Sequence, residues 1–154
     1  MRFLEVRPRS VGEVRRRLTG AGYRTELVES AISRLIELGI LDDEAFARSW
    51  VESRDRSRPR GEHALRRELR LKDVSADTAR TVLDERRERA ADASSAGDAD
   101  EDAARRLLAR HAAAFARVSD PRARRQRMYA LLVRNGFGPE VAGRLAAEAS
   151  RDGE

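Results

Sequence analysis

The sequence predicts an all-α protein, built as an elongated array of three tandem three-helix repeats. Three observations support this prediction. Apolar residues recur every three or four positions, which is the helical period, and no stretch shows sustained alternation. Charged residues make up 38% of the chain and aromatic residues 5%, which favours solvated helices over one large core. Finally, one apolar pattern occurs three times along the chain, as expected for a repeat array.

The repeated pattern has five positions, and the same spacings separate them in every copy without a gap. The copies are Val14, Leu18, Tyr23, Val28 and Ile32; Leu65, Leu69, Val74, Ala79 and Leu83; and Met128, Leu132, Phe137, Ala142 and Ala146. Each copy covers two helices joined by a turn, and a further helix precedes them in each repeat. We therefore divide the chain into three-helix units at 1–40, 41–89 and 98–150. A flexible linker is predicted at 90–100, where the sequence is of low complexity and poor in apolar residues.

The first unit is predicted to open with a short, frayed helix before Pro8. Ser10 is a suitable N-cap for a helix over 11–20, which Gly20 and Gly22 end. The next helix covers 25–38 and stops at Gly39. Tyr23 follows a helix-ending glycine, where an apolar residue packs back on the helix, so we predict it to be a core residue.

The second unit is predicted to contain helices over 43–56 and 62–72 and a short helix from Ser75 through Leu83. Trp50 is spaced from Phe46 for one helix face, which favours a partly buried position over stacking on a nucleobase. In the third unit we predict helices over 101–117 and 122–134 and a last helix that begins at Pro139. Phe137 is predicted to be a core residue on the same grounds as Tyr23.

Composition narrows the class of protein. The net charge is +5, and Lys72 is the only lysine among 32 basic residues, so nearly all positive charge is arginine, which suits phosphate or carboxylate partners. The chain has no cysteine, and no apolar stretch approaches the roughly 20 residues that cross a membrane. The N-terminus lacks the apolar core of a signal peptide. We therefore expect a cytoplasmic protein, monomeric and without contact to a membrane.

Residues that could perform catalysis are scarce. His63 and His111 are far apart and have no partner at the spacing of a metal site or a catalytic triad. The acidic cluster from Asp42 to Glu44 fits the positive end of a helix dipole better than a cation site. No glycine-rich phosphate loop is present. We therefore predict a protein that is not an enzyme and has no cofactor and no metal.

The remaining feature is the placement of positive charge on and around the second helix of each unit. If equivalent helices align in a stacked array, these residues form one extended surface, which we call the basic stripe. Its members are Arg15, Arg16, Arg17, Arg58, Arg60, Arg66, Arg67, Arg70, Lys72, Arg122, Arg124, Arg125, Arg127 and Arg134. The third basic helix supports a binding role most strongly, because no acidic residue occurs from 121 to 139.

Four segments together resemble a known family, the bacterial recombination regulator RecX. They are RPRSVGEVRRRL at 7–18, LIELGILDDEAFA at 35–47, RGEHALRRELRLKDV at 60–74 and LLVRNGF at 131–137. The similarity extends from residue 3 to about residue 148, and the segments occur in the family's order. The chain departs from the family at Asp73, where glycine is usual and where we expect a distorted turn. The linker at 90–100 resembles an insertion, and the first helix is shortened.

The resemblance implies a non-enzymatic modulator of RecA with an elongated, all-helical fold. Such a protein would bind the RecA filament on single-stranded DNA, and duplex DNA weakly. It would inhibit ATP hydrolysis, strand exchange and co-protease activity, and so modulate recombinational repair and the SOS response. The sequence does not decide which residues contact RecA and which contact DNA. It also leaves open whether the protein caps the ends of the RecA filament or coats the groove of the filament.

Two other functions are compatible with the sequence. Residues 11–41 could form the core of a helix-turn-helix DNA-binding regulator, but a winged version requires a β-hairpin where Asp42 opens a helix. The array could also be a scaffold that binds only protein. Binding to duplex DNA, single-stranded DNA and RecA-coated single-stranded DNA distinguishes these functions.

Overall fold

The chain is all-α, as predicted. The computed structural model describes residues 8–93 and 98–151, and within these ranges there are nine α-helices and no strand. The helices are α1 (Val11–Gly20), α2 (Thr25–Glu37), α3 (Asp43–Ser57), α4 (Glu62–Leu71), α5 (Ala76–Ala93), α6 (Ala99–Arg110), α7 (Ala112–Ala116), α8 (Pro121–Arg134) and α9 (Pro139–Arg151). The frayed helix predicted before Pro8 lies outside the described residues.

The described residues form two compact units. Unit 1 comprises the residues up to Trp50 together with Arg66–Val82, and unit 2 comprises Val51–Leu65 together with the residues from Leu83 onward. Unit 1 contains a small cluster of buried residues from α1 and α2: Val14, Val28, Ile32 and Leu41. Unit 2 contains a larger cluster from α6 to α9, in which Leu107, Phe115, Met128, Leu132 and Leu145 are buried.

Side-chain caps begin α1, where the sequence predicts Ser10, and α8. At α1, Ser10 Oγ accepts a hydrogen bond from the Glu13 N–H at 3.1 Å, and the Ser10 N–H donates to Glu13 Oε2 at 3.4 Å, which completes a capping box. At α8, the Asp120 carboxylate accepts from the N–H groups of Arg122 and Ala123, and Pro121 occupies the first turn. These bonds satisfy N–H groups that a helix leaves unpaired.

The turn after the second helix of each repeat has one geometry in all three copies. Gly22, Asp73 and Gly136 occupy the same repeat position and have φ values of 87°, 57° and 86°. At Asp73 the N–H donates to Arg70 O at 2.9 Å, and the next N–H, of Val74, donates to Leu69 O at 3.1 Å. The other two turns make the corresponding hydrogen bonds. The distortion expected at Asp73 is therefore absent, and the aspartate adopts the left-handed conformation itself.

Replacing Asp73 by glycine tests the strain of this conformation. We expect Asp73→Gly to stabilise unit 1 by about 1 kcal/mol, since glycine adopts positive φ without the Cβ clash. The loss of the exposed ion pair with Arg16 offsets part of this gain. Asp73→Ala is the matched control, because it removes the same carboxylate but keeps a Cβ. Urea denaturation should show opposite signs for the two variants; equal destabilisation by both would contradict the interpretation.

A close contact joins the start of one helix to this turn of a later repeat, and it occurs once in each unit. In unit 1, Ser10 Oγ donates to Lys72 O at 2.6 Å, and in unit 2 the Gly61 N–H donates to Asn135 O at 3.0 Å. Ser10 and Gly61 occupy the same repeat position, as do Lys72 and Asn135. A Cβ on Gly61 would lie 2.2 Å from Gly136 O. The absence of a side chain at Gly61 therefore permits this backbone contact.

Three expectations about helix bounds need correction. The third helix of the second repeat is not short: α5 continues to Ala93, because 84–93 is rich in Arg, Glu and Ala, which favour helix. Residues 90–93 and 99–100 of the predicted linker are thus helical, and 94–97 lie outside the described residues. The helix predicted over 101–117 is interrupted at His111, whose ψ of 5° departs from the helical value and separates α6 from α7.

Phe137 and Tyr23, the two aromatic residues predicted for the core, differ in their burial. Phe137 is 2% exposed and packs in the unit 2 cluster, which α6 helps to form. Tyr23, at the same repeat position, is 58% exposed, so its assignment to the core is wrong. The part of the first repeat equivalent to α6 falls outside the described residues, and no described helix covers Tyr23. Trp50 is partly buried, as predicted.

Candidate nucleic-acid interface

The arginines of α1 are exposed, but two of them bind acidic groups of unit 1. Arg15 donates to Glu29 through Nε at 2.7 Å and Nη2 at 3.0 Å, a two-point contact. This hydrogen bond raises the pKa of Arg15 and lowers the pKa of Glu29. Arg16 pairs with Asp73 at 2.5 Å. Arg17 is exposed as well. Much of the positive charge of α1 is therefore engaged within the protein.

The arginines of α4 lie on its solvent side, away from its buried leucines. Leu65 and Leu69 are fully buried, whereas Arg66, Arg67 and Arg70 are exposed. This arrangement follows from helix periodicity, since the two leucines are four residues apart and mark the inner face. The side chains of Arg67 and Arg70 make no hydrogen bond or ion pair within residues 8–93 and 98–151.

Lys72 is a member of the basic stripe that contacts both a carboxylate and an aromatic ring of unit 1. It is half-buried, and its Nζ lies 2.7 Å from Glu13 Oε1 and 5.0 Å from the centroid of the Trp50 ring. The Trp50 Nε1–H donates to Glu68 Oε2 at 2.8 Å, and Phe46 stacks on the ring. These contacts fix Lys72 and Trp50 inside unit 1, and they account for the partial burial of the tryptophan.

Two arginines precede α4, and they differ in exposure and in hydrogen bonding. Arg58 is exposed. Arg60 is half-buried and donates to the Asn135 side chain in the contact between the start of α4 and the turn before α9. Arg60 thus belongs to the same junction as Gly61.

Helix α8 presents arginines to two sides. Arg124 is half-buried; its Nε donates to Val118 O at 3.1 Å, and its side chain lines an apolar pocket with Leu108 and Phe115. The other arginines of α8 are exposed, and no partner for them occurs in the described part of the chain: Arg122, Arg125, Arg127 and Arg134. The exposure predicted for α8 is confirmed at these four positions, and their binding role stays a prediction.

A buried arginine that the sequence pattern did not indicate organises unit 2. Arg86 on α5 is 5% exposed. It donates to both oxygens of Asp55 at 2.9 Å and to Asp100 Oδ1 at 2.7 Å. Burial acts to lower the pKa of Arg86, but the bonds and charges of both aspartates outweigh it and raise the pKa. Burial raises the pKa of Asp100, against the opposing hydrogen bonds from the Glu62 N–H and from Arg86. The sequence signal of this site is a spacing: Arg86 follows the buried Leu83 and Val82 by three and four residues, which places it on the inner face of α5.

The positions considered for catalysis have structural roles or are exposed. His63 and His111 are exposed. Asp42 Oδ1 accepts from the N–H groups of Glu44 and Ala45, as expected for a helix N-terminus. Asp43 Oδ1 accepts from the Val11 N–H at 2.8 Å, and burial raises the pKa of Asp43. Among the residues that the structure describes, no group of three or more His, Cys, Asp or Glu side chains could hold a metal ion.

None of the described helices is both long enough and apolar enough to cross a membrane.

The fold and the surface together define an all-helical repeat protein with many exposed arginines. Family models agree with this class. A model described as the first three-helix domain of RecX matches residues 1–35, and one described as the second three-helix domain of RecX matches residues 42–83. These matches fall within the predicted units at 1–40 and 41–89.

Curated relatives give the same result. The regulatory protein RecX of Thermobifida fusca (strain YX) is 32% identical over 148 residues, which cover 96% of this chain and 75% of the relative. That of Streptomyces lividans is 36% identical over 156 residues, which cover 97% of this chain and 74% of the relative. The chain belongs to the RecX family of regulatory proteins.

Solved structures support the fold. The crystal structure of RecX from Lactobacillus salivarius has a TM-score of 0.78 at 17% identity, covering 97% of this chain and 91% of that chain. Another crystal structure of a regulatory protein RecX has a TM-score of 0.75 at 20% identity, covering 97% of this chain and 66% of that chain. This chain is therefore shorter than several of its relatives.

Proposed function

We propose that this protein binds the RecA filament on single-stranded DNA and inhibits its ATPase, strand-exchange and co-protease activities without performing a reaction itself. Membership of the RecX family supports regulation of RecA. The observation that carries the proposal is the set of exposed arginines for which the described residues offer no partner: Arg58, Arg67, Arg70, Arg122, Arg125, Arg127 and Arg134. Such arginines are available to phosphates of DNA and to carboxylates of a protein filament.

The alternative of a winged helix-turn-helix regulator receives less support. Its wing requires a β-hairpin after residue 41, and in the described ranges this position begins α3. Duplex DNA is nevertheless included in the test below, because exposed arginines also bind duplex phosphates.

The proposal is tested by RecA ATP hydrolysis on single-stranded DNA. We expect added protein to lower the rate at concentrations well below saturation of the DNA. The double variant Arg67→Ala/Arg70→Ala should require severalfold more protein for the same inhibition. Its matched control is Arg34→Ala/Arg80→Ala, which removes equal charge from exposed arginines that pair within their own helices. An unchanged rate at protein equal to RecA rejects the proposal. Binding to naked duplex DNA and to the filament is measured in parallel by anisotropy, and tighter binding to the duplex favours the alternative.

A further inference from the structure

Helices α8 and α9 border a groove in unit 2 whose wall contains two members of the basic stripe together with other side chains. Its volume is about 660 Å³, and its lining includes Arg122, Arg125, Gln126, Tyr129, Gly143 and Ala146. Ligand sites in proteins commonly have volumes of roughly 300–1,000 Å³. The groove is thus large enough for a ligand, and three of the lining residues lie on one face of α8, since Arg122, Arg125 and Tyr129 follow the spacing of three and four.

The groove is open because α9 presents small residues to it. Gly143 and Ala146 are three residues apart and lie on the same face of α9. A Cβ built on Gly143 would have no other heavy atom within 4 Å. The space beside Gly143 is therefore not required for packing, and a ligand can approach the backbone there.

The charge of the groove is positive and not neutralised by its own walls. The guanidinium groups of Arg122 and Arg125 have no hydrogen-bond or ion-pair partner within the described ranges, and no carboxylate lines the groove. The Asp120 carboxylate nearby is occupied by the N–H groups of the first turn of α8. Across α9, Glu148 pairs with Arg105 on α6. Two arginines in such a setting suit an anion with several oxygens, such as phosphate.

An aromatic ring accompanies the two arginines. Tyr129 is 38% exposed and lines the same groove. Exposed aromatic rings beside arginines are typical of sites for single-stranded nucleic acid, where bases stack on the ring and phosphates meet the cations. Trp50 cannot serve in this way, because Phe46, Glu68 and Lys72 already contact it.

We propose that the α8–α9 groove binds a short segment of single-stranded nucleic acid, with Arg122 and Arg125 on its phosphates and a base stacked on Tyr129. The inference rests on the proposed function, which it deepens by naming a place for the nucleic-acid contact. Gln126 on the same wall has an amide that can bond to a base edge.

The test measures binding of the full chain to a fluorescent oligothymidylate by anisotropy, without RecA. Tyr129→Ala should weaken binding about 5- to 150-fold through lost stacking, whereas Tyr129→Phe, which keeps the ring, should bind like the parent. Arg122→Ala/Arg125→Ala should weaken binding and reduce the slope of log affinity against log salt by about 1.4, or roughly 0.7 for each lost phosphate contact. Circular dichroism checks that each variant keeps its helices.

The matched control is Arg127→Ala/Arg134→Ala, which removes two exposed arginines from α8 that do not line the groove. A smaller effect of this control supports the groove; equal effects of the two double variants overturn it, as does parent-like binding by Tyr129→Ala. Competition by a polyglutamate peptide with no effect of Tyr129→Ala would assign the groove to an acidic protein instead. Parallel RecA ATPase assays separate the two proposals. If the parent inhibits RecA and the groove variants bind the oligonucleotide like the parent, only the groove proposal fails. If the parent binds the oligonucleotide through the groove but does not inhibit RecA, only the proposed function fails.

Discussion

Replacing Arg86 by alanine is expected to lower the free energy of unfolding by about 3–5 kcal/mol, the range for breaking a buried ion pair from one side. Asp55 and Asp100, whose side chains are 24% and 13% exposed, would lose their shared cation. The carbonyls of Arg60 and Ala99 would each lose a donor as well. Urea denaturation followed by circular dichroism measures the change.

The neighbouring Arg87 provides a control of the same residue type on the same helix. Its side chain is 46% exposed and pairs with Asp84 and Glu62 at the surface. Exposed pairs contribute little, so Arg87→Ala should change the stability by less than about 1 kcal/mol. Similar losses for both variants would show that the buried position of Arg86 has no special importance.

The cost of Arg86→Ala should also depend on pH. Burial already raises the pKa of Asp100, and removing Arg86 would raise it further. A folded-state pKa above the unfolded value means that the folded protein binds more protons, so this group favours folding at low pH and loses that contribution as pH rises. The difference in the free energy of unfolding between the parent and Arg86→Ala should therefore be larger at about pH 7 than near pH 4. A difference that stays constant would contradict this assignment.

Adding a single methyl group at Gly61 should have the second large effect. The new Cβ would lie 2.2 Å from Gly136 O and 2.4 Å from the Phe137 nitrogen, and both are backbone atoms that cannot rotate away. Separation of the two segments would also strain the hydrogen bonds of the Gly61 and His63 N–H groups to the Asn135 and Gly136 carbonyls. Overpacking and the loss of these bonds together predict a destabilisation of about 2–4 kcal/mol for Gly61→Ala.

The control for Gly61→Ala is Gly20→Ala near the end of α1. A Cβ on Gly20 meets nothing within 4 Å, and alanine favours the helix, so this variant should be neutral or slightly more stable. The two midpoints of thermal unfolding should therefore move in opposite directions or by clearly different amounts. If Gly61→Ala unfolds like the parent, the backbone contact at Gly136 is looser than described.

Local patterns were sufficient to predict the repeated framework. Leu65 and Leu69 are fully buried because four-residue spacing places them on one helix face. The turn at Asp73, for which a distortion was wrongly predicted, matches those at Gly22 and Gly136, because the hydrogen bonds that close it come from neighbouring residues. The end of α5 at Ala93 was less predictable. The lack of large apolar residues there indicated a linker, but helix propensity and the ion pairs of Arg86 maintain the helix.

The partners of the charged residues could not be predicted, since they come from distant parts of the sequence. Lys72 binds Glu13, which is 59 residues away, and Arg86 binds Asp55, which is 31 residues away. No local spacing indicates such pairs. The groove at Tyr129 was missed for the same reason: its open side depends on Gly143, which belongs to another helix. The spacing of Arg122, Arg125 and Tyr129 on α8 was a signal that could have indicated it.

The contact between a helix start and the turn of a later repeat is directional. In unit 1 the donor is Ser10 and the acceptor is Lys72; in unit 2 they are Gly61 and Asn135. Two different surfaces meet head to tail, unlike a two-fold contact, which pairs a surface with itself and closes. At Gly22, the equivalent turn of the first repeat, a Cβ would meet nothing within 4 Å among the described residues. Such a contact can recur from one repeat to the next without closing, so the contact itself sets no upper limit on the number of repeats.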